Sequence, residues 1–97
     1  MYKVEYLPEA ITDILDARAY LHEFSPAAAN KLAEAIEKRT EALTAFPLLY
    51  PVYDFDDCLR LMPLPYQYLC FYYVDEEAKT VKVYRVLRGM RDIPSLL

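Results

Sequence analysis

The sequence predicts an α+β fold of order β-α-α-β-β-β, a helical hairpin packed on one face of a small, mostly antiparallel sheet. Three observations carry that prediction. Residues 8–46 repeat their apolar side chains at helical spacing and are broken once, at Ser25-Pro26. Residues 58–88 change to period two, interrupted by Pro63-Leu64-Pro65 and by the polar run Asp75 to Lys79. A short alternating run, Tyr2 to Tyr6, precedes the helices. A helical pair laid on a sheet is the two-layer arrangement that buries both sets of apolar side chains.

In chain order, Tyr2, Val4 and Tyr6 alternate with Lys3 and Glu5, which predicts a strand with one buried face. Leu7-Pro8-Glu9 opens a helix, with proline at the first helical position and an acid near the positive end of the dipole. Ile11, Ile14, Leu15, Leu21 and Phe24 form its predicted core stripe. Ser25 then caps a second helix with Pro26 at N1. Its stripe is Ala29, Leu32, Ala33, Ile36, Thr40 and Leu43, and it is predicted to stop at Phe46 before Pro47. The short connection makes the pair an antiparallel hairpin. His22 lies near the end of the first helix and has no identifiable catalytic partner.

Residues 47–57 read as a loop holding two prolines and three aspartates. Asp54, Asp56 and Asp57 lack the glycine turn and final glutamate of a calcium loop, so a solvated loop is expected. Cys58 to Met62 is one strand. The prolines force a bend, and Tyr66 to Val74 follows as a central strand, apolar on both faces. Placing the bend at Leu64-Pro65 sets Cys58 opposite Phe71, and so puts Cys58 and Cys70 on opposite faces as buried thiols. Residues 75–79 are a hairpin connector, and Thr80 to Arg88 is the last strand. The sheet face away from the helices is expected to form a concavity carrying tyrosines and arginines.

Composition bounds the rest. Ninety-seven residues make one domain spanning 1–97, and 56% hydrophobic content with a single glycine argues against disorder. No apolar run approaches a membrane span, and MYKVEYLPEA lacks the pattern of a secretory signal, so a cytoplasmic protein is expected. Two distant cysteines and one histidine exclude a zinc knuckle, so neither metal nor cofactor is expected. The net charge of −4 disfavours non-specific nucleic-acid binding. It divides into −6 over residues 1–57 and +2 over residues 58–97.

The chemistry-bearing stretch is TVKVYRVLRGMRDIP, residues 80–94. Arg85, Arg88 and Arg91 gather around Gly89, the chain's only glycine. A lone glycine after a strand marks a backbone position needing positive φ or close approach. The arginines either fork onto carboxylates or phosphates of a ligand or pair with the chain's own acids. With Arg60 they would supply charge for a phosphorane, while tyrosines stack on bases. A general base is missing from residues 58–97. Tyrosine and arginine equally suit a protein-binding surface, and Ile93 to Leu97 is an apolar tail that must dock on its own domain or on a partner.

Taken together, YKVEYLPEA, the SPAAANKLAEAIEKRTEALTAFP helix with its Phe-Pro ending, and PYQYLCFYYVDEEAKTVKVYRVLRGMRDIPSLL resemble the RelE/ParE toxin superfamily over nearly the whole chain. The resemblance implies the toxin of a type II toxin–antitoxin (plasmid stabilisation) module, partnered by a cognate antitoxin. It also implies one of two targets: RelE-like members cut messenger RNA on the ribosome, and ParE-like members poison DNA gyrase. Carried over by position, Arg91 resembles the family's phosphate-contacting arginine, and Arg60 a basic residue of the second strand. Arg60, Arg88 and Arg91 are thus the candidate catalytic set of an mRNA interferase. Tyr66, Gln67, Tyr84 and Arg85 are the candidate substrate or partner surface. The set is depleted for a nuclease. Pro65-Tyr66-Gln67 stands where RelE-like nucleases often carry Gly-Tyr-Arg, Arg88 stands where related nucleases place a histidine, and the late tyrosine is absent. A gyrase inhibitor, or a decayed module that only binds antitoxin, is the alternative.

Overall fold

The computed structural model describes residues 1–89 and 93–97. Strand β1 (Lys3–Tyr6) leads into helix α1 (Pro8–Phe24) and helix α2 (Pro26–Ala42). Strands β2 (Val52–Tyr53), β3 (Asp56–Pro63), β4 (Tyr68–Asp75) and β5 (Thr80–Arg88) follow, and a short helix α3 (Ile93–Leu96) ends the chain. The five strands form one mixed sheet in the order β1-β5-β4-β3-β2. Only β1 with β5 is parallel. The α+β architecture and the central position of β4 agree with the sequence reading. No helix among the described residues is long and apolar enough to cross a membrane.

The helix signals act as expected where they are local. Pro8 occupies the first turn of α1, and the Ser25 hydroxyl accepts a hydrogen bond from the Ala28 amide at 3.2 Å to cap α2. Helix α2 ends at Ala42, before the predicted Phe46, and its last turn loosens into bends in which the Phe46 amide still donates to the Ala42 carbonyl. The stripe of α1 needs correction. Ala10, Ala17 and Leu21 are its buried residues, with Ile14 partly buried, while Ile11, Leu15 and Phe24 face outward. Alanine at 10 and 17 lets the helix backbone lie close to the layer beneath it, which rolls the larger side chains out of the core.

The sheet shows three further differences. Strand β2 was expected as loop: two residues give no periodicity, and they form a strand only by pairing Val52 with Arg60 and Tyr53 with Asp56. Tyr66 and Gln67 belong to a 3-10 turn (Pro65–Gln67) and not to β4. The β3–β4 register sets Leu61, not Cys58, opposite Phe71, a shift of three that pairs Met62 with Cys70. An odd shift exchanges faces, so Cys58 and Cys70 share the helix side. Cys70 is fully buried, and Cys58, near the open end of β3, is exposed.

Two hydrophobic clusters flank the sheet. Between sheet and helices lie Leu32, Ile36, Leu43, Met62, Cys70, Tyr72, Val81 and Val83 among others. On the other face Leu59, Phe71, Leu87 and Ile93 are buried together, with Leu96 and Leu97 packed against them. The expected open concavity is therefore covered by the chain's own tail. Strand β4 is apolar on both faces and Leu87 of β5 adds to the second, so that face also has to be removed from water, and the tail does this.

Candidate functional site

The end of β5 is shaped by a close backbone approach. Gly89 has no positive φ; its amide donates to the Gln67 carbonyl at 2.6 Å. A Cβ at this position would lie 3.2 Å from that same carbonyl oxygen and 3.4 Å from Leu69 Cδ1. Of the two roles open to the lone glycine, the structure uses close approach. The strain sits across the gap, where Tyr66 (φ 60°) and Gln67 (φ 65°) are both left-handed. That conformation costs a non-glycine residue about 1–2 kcal/mol. It is held by Pro65, by the Leu64 amide donating to the Tyr68 carbonyl at 2.9 Å, and by Arg39 donating to the Pro63 carbonyl. Its effect is to push the Tyr66 side chain into solvent.

Beside this turn Arg88 leans back over α1, its guanidinium 4.9 Å from the centre of the Tyr20 ring. A cleft of about 360 Å³ lies there, lined by Asp13, Asp16, Tyr20, Tyr68 and Arg88 among others. Four of those five residues were not singled out in the sequence. Their signal was weak: Asp13 and Asp16 lie off the apolar stripe of α1, and Tyr20 and Tyr68 are two tyrosines among ten.

Arg85 has a different assignment. Its Nε donates to Asp13 Oδ2 at 2.7 Å and its Nη2 to Asp13 Oδ1 at 3.1 Å, a two-pronged pair with both side chains largely buried. Asp13 Oδ2 also accepts from the Val86 amide, and Arg85 Nη1 donates to the Leu96 carbonyl at 3.1 Å. The hydrogen bonds from Arg85 to Asp13 hold its pKa above the ordinary guanidinium value. A register shift between β4 and β5 aims this side chain. Phe71 pairs with Arg85 but Tyr72 with Val83, leaving Tyr84 as an extra residue. Arg85 is thus a bolt joining α1, β5 and the tail.

The remaining candidates are dispersed. Arg60 is partly buried and donates to the Tyr50 carbonyl at 2.7 Å. It pairs across the sheet with Tyr72, and Arg88 pairs with Tyr68. The two arginines therefore stand about 13 Å apart along β4, on strands to either side of it. Tyr84 belongs to the opposite face, its ring against Tyr73 and its hydroxyl 3.4 Å from the Leu97 carbonyl. Arg91 lies outside the described residues. Arg88, Tyr66 and Gln67 are brought near one another, through the pairing of Arg88 with Tyr68. Arg60, Tyr84 and Arg85 are not.

The groups with displaced pKa are structural. Burial pushes the Cys70 thiol up to about 12 and raises the Tyr6 and Tyr72 hydroxyls. None of these is moved toward neutrality, where a general base works. Asp56, Asp57 and Cys58 bring ligand atoms within 4.8 Å of one another, all exposed. Two carboxylates and one thiol give too few oxygens for calcium and one ligand short of a closed zinc shell. A second concave feature is apolar: a groove of about 340 Å³ between α1 and α2, lined by Tyr6, Ile11, Ile14, Leu15, Ala33 and Ile36 among others. Ile11 and Leu15, rolled out of the core, form its outer wall.

Comparison with known proteins agrees with this architecture. The chain covers 91% of its length on 96% of a chain from the chromosomal ParDE system of P. aeruginosa, at 16% identity and TM-score 0.72. It covers 94% on 100% of a chain from the intact E. coli RelBE toxin–antitoxin complex, at 15% identity and TM-score 0.65. A chain of the RelBE2 toxin–antitoxin complex from Mycobacterium tuberculosis is matched at 21% identity and TM-score 0.62, with 90% and 96% covered. No match to a curated protein was found. The fold is that of the RelE/ParE toxin superfamily. The profile described as ParE toxin of type II toxin-antitoxin system, parDE, matches residues 4–93, and the chain belongs to that family.

Proposed function

We propose that this toxin acts by binding a protein target, DNA gyrase, and does not cut RNA. The observation that carries the reading is how the arginines are used. A phosphorane is stabilised by donors converging to about 3 Å from its oxygens. Arg85 is neutralised by Asp13, Arg60 is engaged by the Tyr50 carbonyl, and Arg60 and Arg88 stand apart on the sheet. The net charge of −4 points the same way, since an enzyme entering the ribosome docks among phosphates.

The partner that restrains the toxin is its antitoxin, as the complexes formed by proteins of this fold suggest. The groove between α1 and α2 suits it, with Ile11 at 48% and Leu15 at 59% exposure ready to receive the apolar side of an antitoxin helix. Two assays on cell-free-synthesised toxin test the activity. A gyrase supercoiling assay is expected to show inhibition, and primer extension on translated messages to show no new 5′ ends. Ribosome-dependent cleavage with supercoiling intact would replace this reading with the RelE-like one.

A further inference from the structure

The connection between α2 and β3 carries an apolar surface of its own. Phe46, Leu48, Leu49, Val52 and Phe55 are turned outward there, at 65, 58, 55, 43 and 73% exposure. Burying one such side chain is worth about 1.5–3 kcal/mol, so five left in water within ten residues need a cover.

The backbone beneath them is pinned from inside. The Tyr72 hydroxyl donates to the Pro47 carbonyl at 2.9 Å, and Arg60 Nη1 to the Tyr50 carbonyl at 2.7 Å. The Leu61 amide donates to the Pro51 carbonyl at 3.0 Å, and the Tyr53 ring packs edge-on against Phe71 at 5.0 Å. A segment fixed at four points, two of them prolines, loses little more freedom when something docks on it. In this light Arg60 is a positioning residue for the segment.

Charge selects the occupant. Asp54, Asp56 and Asp57 are all exposed, and no lysine or arginine occurs between Arg39 and Arg60. A second copy docking through the same surface brings three aspartates against three. A cationic partner with an apolar centre is complementary. We propose that residues 46–57 are the platform on which the toxin holds its protein target, engaging a basic patch of the kind an enzyme presents where it binds DNA. The proposal rests on the gyrase reading and names the surface that serves it.

The test uses purified gyrase, supercoiling inhibition and direct binding to immobilised gyrase. Wild-type toxin is compared with Leu48→Ser/Phe55→Ser and with Asp54→Lys/Asp57→Lys. All four side chains are exposed, so thermal melts should match the wild type; a variant that melts early is replaced by single Phe55→Ser. The expected result is at least a tenfold rise in the toxin needed for half-inhibition with the apolar variant. With the lysine variant we expect a several-fold rise and a shallower salt dependence. Unchanged inhibition by both variants overturns the platform and leaves the gyrase reading standing. A wild type that neither binds nor inhibits gyrase overturns both.

Discussion

At the residue scale, the two cysteines separate local from tertiary information most cleanly. Cys58 is exposed and Cys70 fully buried. A thiol reagent should therefore label one cysteine in the native protein and two in denaturant; two fast-reacting thiols before unfolding would contradict the burial of Cys70 beneath the helices. The buried thiol also links stability to pH. Its pKa is about 12 when folded and near 9.0 when not, so both states are protonated below pH 9 and the contribution is intact there. Between pH 9 and 12 the unfolded chain loses the proton and the folded one keeps it. Stability should fall with rising pH by about 1.4 kcal/mol per unit. The partly buried hydroxyls of Tyr6 and Tyr72, raised in the same direction, add to the loss further up. Urea midpoints of wild type and Cys70→Ala measured across this range should diverge in slope, and parallel curves would exclude Cys70 as the cause.

Elements are set by local signals until two of them meet. The starts of both helices were readable because a proline, and at α2 the Ser25 cap, acts within one turn. The face that α1 buries was not, because Ile11 and Leu15 make as good a stripe as Ala10, Ile14 and Ala17 when size is ignored. The turn before β4 is a similar case. Proline announced a bend, but the positive φ of Tyr66 and Gln67 follows from the demand that the Gln67 carbonyl meet the Gly89 amide. Two substitutions test that account. Gln67→Gly should raise stability by up to about 1 kcal/mol by removing left-handed strain. Gly89→Ala should lower it by about 1–3 kcal/mol, since backbone, not a flexible side chain, must move to admit the Cβ. Denaturant midpoints that leave both variants unchanged would mean the turn is neither strained nor tight.

For the whole molecule, the tail decides which surface is free. Ile93 is 5% exposed and completes the cluster over Leu59, Phe71 and Leu87. Ile93→Ala should cost about 2–4 kcal/mol and raise the binding of an apolar dye. A neutral result would mean the tail does not hold that face closed. The Arg85–Asp13 bolt, which also reaches the Leu96 carbonyl, ties the same tail to α1. Among the described residues this leaves for partners the groove between the helices, the cleft under Arg88 and the segment 46–57.

What the sequence determined by itself is whatever a few neighbouring residues settle: the order of the two long helices and the four longer strands, the starts of α1 and α2, the bend at Pro63-Leu64-Pro65, the limits of β5 and the family likeness. It raised both possibilities for the arginines around Gly89, a ligand's anions or the chain's own acids. Only the tertiary structure assigned Arg85 to Asp13, placed Arg60 under the Tyr50 carbonyl and closed the sheet's second face with the tail. Each of those depends on groups brought together from distant parts of the chain or on a register shift. Alternation along a strand states which residues share a face, but not what covers that face or which of several acids lies within reach of a guanidinium.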